Sequence, residues 1–107
     1  MVGKLFRVVF TKDAQKSLKK ISDYYKRNAS STVAKKVRKG LVDEGKKLET
    51  LPASRPLLPI KKEVTPPYRY AKKWSFKIIF QIFKKQDTVR VIDFLHDKEN
   101  PDKWDDL

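Results

Sequence analysis

The sequence predicts an α+β domain in the order β-α-α-β-β-β, a helical hairpin packed on a small, mainly antiparallel sheet. Three observations carry this. Two consecutive segments repeat their apolar residues at helical spacing, and each begins with a residue suited to cap a helix. Pro52, Pro56 and Pro59 then stop that pattern, because proline lacks the N–H and clashes with the preceding turn. Beyond Pro66-Pro67 the apolar period becomes two, most regularly in FKIIFQIF at 76–83. At 107 residues, surface dominates volume, so 1–107 is expected to be one domain around one modest core.

Leu5 to Phe10 reads as the first strand, with Phe6, Val8 and Phe10 on one face. Thr11 is the expected cap of the first helix, and Asp13 lies in its first turn, where the helix dipole favours a negative charge. Ala14, Leu18, Ile21 and Tyr25 form the buried stripe, and the helix is expected to end near Asn28. Lys12, Lys16, Lys19 and Lys20 fall mostly off that stripe and should face water. Ser30 and Ser31 offer the second cap, for a helix expected to reach about Leu51. Its stripe is Val33 or Ala34, Val37, Leu41, Leu48 and Leu51. Gly40 and Gly45 interrupt it at a cost of about 1 kcal/mol each relative to Ala, as happens where a neighbouring element packs closely.

Residues 52–67 form a proline-bearing crossing loop, after which Tyr68-Arg69-Tyr70 opens a strand. In 76–83, Phe76, Ile78, Phe80 and Ile82 share the face expected to meet the helices. Lys77, Ile79, Gln81 and Phe83 share the other. The KKQD stretch at 84–87 is a turn, and TVRVIDFLH at 88–96 returns as the last strand.

Charge is the strongest bulk signal: 26 Lys and Arg against 13 Asp and Glu, a formal +13. It is uneven, at +9 over 1–50, +8 over 51–90 and −4 over 91–107. Such an excess favours a polyanionic partner through phosphate contacts and counterion release. With no cysteine, disulfides and thiolate metal sites are excluded and a reducing cytoplasm is the expected compartment. No apolar run approaches the roughly 20 residues of a membrane span, and the first ten residues are too short and too evenly charged for a signal peptide.

Several chemistries fail at the level of residue types. Three glycines and no GxxxxGK[ST] loop leave no phosphate cradle of that kind, and a single His leaves no metal cluster, so neither cofactor nor metal is expected. What remains is a set of cations near the sheet, namely Arg69, Lys72, Lys73, Lys77, His96 and Lys98, interleaved with Tyr68, Tyr70 and Trp74. Each has an ordinary alternative. A mid-strand lysine usually faces solvent. Arg69 can pair with Glu63 or cap the loop, and a histidine ending a strand is more often structural than catalytic. The aromatics fit core or edge positions better than base-stacking platforms.

The order of these segments strongly resembles the RelE/ParE superfamily, the toxins of type II toxin–antitoxin systems and plasmid stabilisation proteins. The most specific parts are Ser75-Phe76-Lys77-Ile78-Ile79-Phe80-Gln81-Ile82 and His96-Asp97-Lys98-Glu99-Asn100-Pro101. Members typically show a small residue, an aromatic, Arg and two aliphatics in the first, and His or Asp followed by Arg in the second. The resemblance implies a toxin neutralised by a cognate antitoxin, acting either on mRNA in the ribosome, as RelE does, or on DNA gyrase, as ParE does. For metal-independent endoribonuclease chemistry it implies Lys77 and Lys98 at the phosphate-contacting positions, with His96 or Arg69 moving protons. Lys72 and Lys73, with Lys61 and Lys62 of the loop, are the implied nucleic-acid-binding residues. Both family arginines are lysines here, which offer a point charge in place of a planar fork, and no tyrosine follows Lys98. The position of the basic cluster favours mRNA cleavage over gyrase. A basic nucleic-acid-binding module without toxicity is the reading from a different class.

Overall fold

In the computed structural model, which describes residues 4–97, six regular elements follow the expected order. They are β1 (Arg7–Phe10), α1 (Lys12–Asn28), α2 (Ser31–Lys46), β2 (Arg69–Lys73), β3 (Phe76–Phe83) and β4 (Thr88–His96). Thr11 caps α1, its hydroxyl accepting the Ala14 N–H at 3.2 Å, and Ser30 caps α2 by accepting the Val33 N–H at 3.1 Å.

The second helix is shorter than its stripe predicts. It ends at Lys46 and tightens into a 3₁₀ turn over Lys47–Glu49, which still buries Leu48. Pro52 bars its predecessor from the right-handed helical conformation. Leu51 takes a left-handed one, at φ 48°, and its side chain stays 67% exposed rather than joining the stripe. At the start of that stripe Ala34 is buried and Val33 exposed.

The sheet runs in the order β1-β4-β3-β2. Strands β2, β3 and β4 form an antiparallel meander, and β1 joins the edge of β4 in parallel. The expected faces meet: Leu18, Ile21, Tyr25, Val37, Leu41 and Leu48 pack with Phe76, Ile78, Phe80 and Ile82 in one cluster. Both interrupting glycines admit a ring. A Cβ at Gly45 would come within 2.9 Å of the Phe10 ring, and one at Gly40 would collide with the indole of Trp74.

Two features lie beyond the sequence patterns. The crossing loop folds onto the other face of the sheet, where Leu58 and Tyr68 pack with Ile79 and Leu95, flanked by Ile60, Val64, Tyr70 and Ile92. It is pinned by Leu58 N–H to Tyr68 O (2.8 Å), Tyr70 N–H to Pro56 O (3.1 Å) and the Gln81 amide to Pro66 O (2.8 Å). The second feature is a β-bulge. Phe80 pairs with Val91 but Ile79 pairs with Asp93, so Ile92 is an extra residue in β4. The bulge reverses the alternation along that strand. Val89 and Val91 face the helices before it, and Phe94 does so after it.

Candidate functional site

The open face of the sheet near the β2–β3 turn carries the densest charge cluster among the sheet residues. Lys72 and Lys77 stand directly opposite each other in the β2–β3 ladder. Like charges so placed repel, and the structure supplies an anion between them. Asp97, whose N–H donates to Ser75 O at 2.8 Å, takes Lys77 Nζ at 2.7 Å on one carboxylate oxygen and Lys72 Nζ at 2.9 Å on the other. The hydrogen bonds from Lys77 and then Lys72 hold the Asp97 carboxyl below its ordinary range, against a smaller opposing effect of burial. Lys77 Nζ also lies 5.6 Å from the centroid of the Tyr70 ring.

Sequence reasoning passed over Asp97. The available signal was the pair of cross-strand lysines: two ammonium groups held side by side on a folded sheet call for a shared counter-charge.

The remaining sequence candidates do not converge on this cluster. His96 pairs with Phe76 in the ladder, so its side chain lies on the helix face, opposite to that of Lys77. There its ring meets Phe76 edge-on, with centroids 5.1 Å apart, in a cleft of about 430 Å³ shared with Lys20, Ile21, Tyr24 and Tyr25. The bulge is the cause. Continuing the alternation of Val89 and Val91 without it would place His96 on the face of Lys77.

Arg69 caps the loop, its guanidinium donating to the carbonyls of Arg55 (2.7 Å) and Ala53 (3.3 Å). It borders a separate cleft of about 580 Å³ with Lys84 and Lys85. Lys73 follows Ala71 on the helix side and sets its Nζ 4.7 Å from the Trp74 ring centroid. Lys61 and Lys62 are exposed on the loop that covers the open face. Lys98 lies outside the described residues. Among the described residues no group of His and acidic side chains is arranged to hold a metal ion, and no helix is long and apolar enough to cross a membrane.

An arrangement of two ammonium groups bridged by one carboxylate can receive an anion by exchange: a phosphate that displaced Asp97 would meet both lysines. No proton donor or acceptor of the histidine type stands on the same face in the described residues.

Comparison with known proteins places the fold. The family model of the ParE toxin of type II toxin–antitoxin systems, parDE, matches residues 8–101. No curated protein matches the chain. Among solved structures, a chain of the chromosomal ParDE toxin–antitoxin system from P. aeruginosa superposes with TM-score 0.71 at 18% identity, covering 88% of this chain and 98% of that one. A chain of the RelBE2 toxin–antitoxin complex from Mycobacterium tuberculosis gives TM-score 0.63 at 17% identity, covering 86% and 91%. This chain belongs to the ParE toxin family, within the RelE/ParE superfamily, and is the toxin of a type II toxin–antitoxin system.

Proposed function

We propose that this toxin acts in the manner of ParE, on DNA gyrase, and is held inactive by a cognate antitoxin. The observation that carries the choice of target is the separation of Lys77 from His96 by the sheet itself. Cleavage of RNA without a metal needs a charge contact and a proton-transfer group on the same phosphate, within hydrogen-bond reach. Here Lys77 shares the single carboxylate of Asp97 with Lys72, and the imidazole lies in the cleft beside Ile21, Tyr24 and Tyr25 on the other side. On this reading the geometry weighs against mRNA cleavage, which the position of the basic cluster alone favours.

The antitoxin follows from the same reading, supported by the toxin–antitoxin assemblies from which the structural neighbours come. A formal +13 on a chain of this size is relieved by an acidic partner, and association should quicken at low salt, where opposite charges steer encounter.

Induction of the toxin alone, with and without the adjacent antitoxin gene, tests both parts. Double-strand DNA breaks, intact transcripts and growth arrest relieved by the antitoxin are the expected result. Cleaved transcripts with unbroken DNA would return the assignment to ribosome-dependent mRNA cleavage.

A further inference from the structure

Among the described residues, a row of cations with no carboxylate partner lies on the helical hairpin. Lys12, Lys16, Lys19 and Lys26 of α1 lie at spacings of four, three and seven residues, which puts them on one face of the helix. Arg38 of α2 joins them, with Gln15, Ser22 and Asp23, around a groove of about 570 Å³. Asp23 is its only carboxylate and is engaged by Lys19 at 3.3 Å. Among the described residues, no carboxylate lies within ion-pair distance of Lys12, Lys16, Lys26 or Arg38. The sheet-face cations Lys72 and Lys77 share Asp97, and Lys4 and Lys39 have Asp87 and Asp43.

We infer that this groove is a binding site for the phosphodiester backbone of a nucleic acid, distinct from the Lys72–Lys77–Asp97 cluster. The lining decides between nucleic acid and an acidic protein segment. A protein interface draws its affinity from buried aromatic and aliphatic anchors, and no residue lining this groove is aliphatic or aromatic. A phosphate backbone needs no such anchor, because its affinity comes from counterions released as cations replace them. The length also fits. From Lys12 to Lys26 the helix rises about 21 Å, along which one strand of a duplex presents about six phosphates. The four cations of the groove without a carboxylate partner, Lys12, Lys16, Lys26 and Arg38, can therefore each meet a phosphate.

The test is fluorescence anisotropy of the full chain with a labelled DNA duplex, a labelled RNA hairpin and a labelled glutamate-rich peptide, over a salt series. With four phosphate contacts, affinity for nucleic acid should fall about 10²-fold between about 50 and 200 mM salt. In the triple variant Lys16→Ala, Lys26→Ala, Arg38→Ala that loss should shrink to a few-fold, with circular dichroism confirming the fold. The charge-matched variant Lys46→Ala, Lys84→Ala, Lys85→Ala should keep most of the salt dependence. Whichever of the DNA and RNA probes binds more tightly names the source of the backbone. Equal losses in the two triple variants would mean that net charge alone drives binding, and would overturn the assignment. Tighter binding of the glutamate-rich peptide than of either nucleic acid would do the same. Because neither antitoxin nor gyrase is present, failure here leaves the toxin mechanism untouched, and failure of that mechanism leaves the groove to be judged by this assay.

Discussion

The indole of Trp74 lies over the backbone of Gly40, so that the tip of the β2–β3 hairpin rests on α2 where the helix has no side chain. Trp74 holds a left-handed conformation, φ 54°, and stays 50% exposed. Both residues are locally unfavourable, a glycine inside a helix and a tryptophan at positive φ, and each accommodates the other.

Adding one methyl to each helical glycine should therefore have different outcomes. Gly40→Ala gains about 1 kcal/mol of helix propensity and displaces a ring free to swing into solvent. Its stability should change by no more than about 1 kcal/mol, while Trp74 fluorescence shifts to the red in a Trp104→Phe background. Gly45→Ala meets the Phe10 ring, which is stacked against Phe94 with centroids 6.2 Å apart. That ring is half-buried and packed against the core, and the substitution should cost about 1–3 kcal/mol by overpacking. Melting temperatures of the two variants check this, and a Gly45→Ala protein as stable as Gly40→Ala would refute it.

Phe80 is fully buried where both helices meet the sheet. Phe80→Ala should cost about 3–5 kcal/mol, the range for removing a phenyl ring from a core. Denaturant unfolding measures it, and a midpoint shift worth less than about 0.5 kcal/mol, the range of ordinary surface substitutions, would mean that the ring is not central.

Asp97 makes stability depend on pH in a defined direction. Its carboxyl titrates below the ordinary range because Lys77 and Lys72 hold the charged form. The contribution is present above the unfolded Asp value, near pH 4, and is lost as pH falls through the lower folded value. Asp97→Asn should thus be less stable than the parent at neutral pH, with the gap closing in acid. Unfolding curves at a series of pH values read this directly, and a gap that persists in strong acid would assign the loss to packing instead of charge.

Toxicity separates the two targets at the residue level. On the gyrase reading, Lys77→Ala and His96→Ala should leave growth arrest intact when toxin levels are matched. Loss of one preorganised charge contact in a nuclease costs on the order of 10²-fold. Titrated induction of each variant, scored by colony survival, distinguishes these outcomes.

What was legible in the sequence was local. Thr11 and Ser30 announce their helices because a cap acts within three residues. The alternation in 76–83 reads as a strand because its period is its own. The partners of these faces also followed, since Leu41 and Phe80 have nothing else to bury against. The extra residue at Ile92 was not legible, because a bulge is defined by its partner strand and leaves no mark in its own composition. Nor was the docking of Leu58 and Ile60 onto Ile79, since an aliphatic residue among prolines carries no period. The spatial grouping of the candidate residues was not legible for the same reason: they are near one another in the chain, and a one-residue change of register sets His96 on the opposite face of the sheet from Lys77.

The parallel pairing of β1 with β4 has a consequence for how the toxin comes into being. Strand β4 is interior to the sheet, between β1 and β3, yet among the described residues it is the last regular element to be synthesised. Until it emerges, β1 has no partner, and the helical hairpin lacks Val89, Val91 and Phe94 to close against. Pairings so distant in sequence are the slow step of folding. A chain made only as far as β3 therefore has its helical hairpin and the β2–β3 ladder but no closed core, and the fold that defines the toxin can form only once His96 has been made.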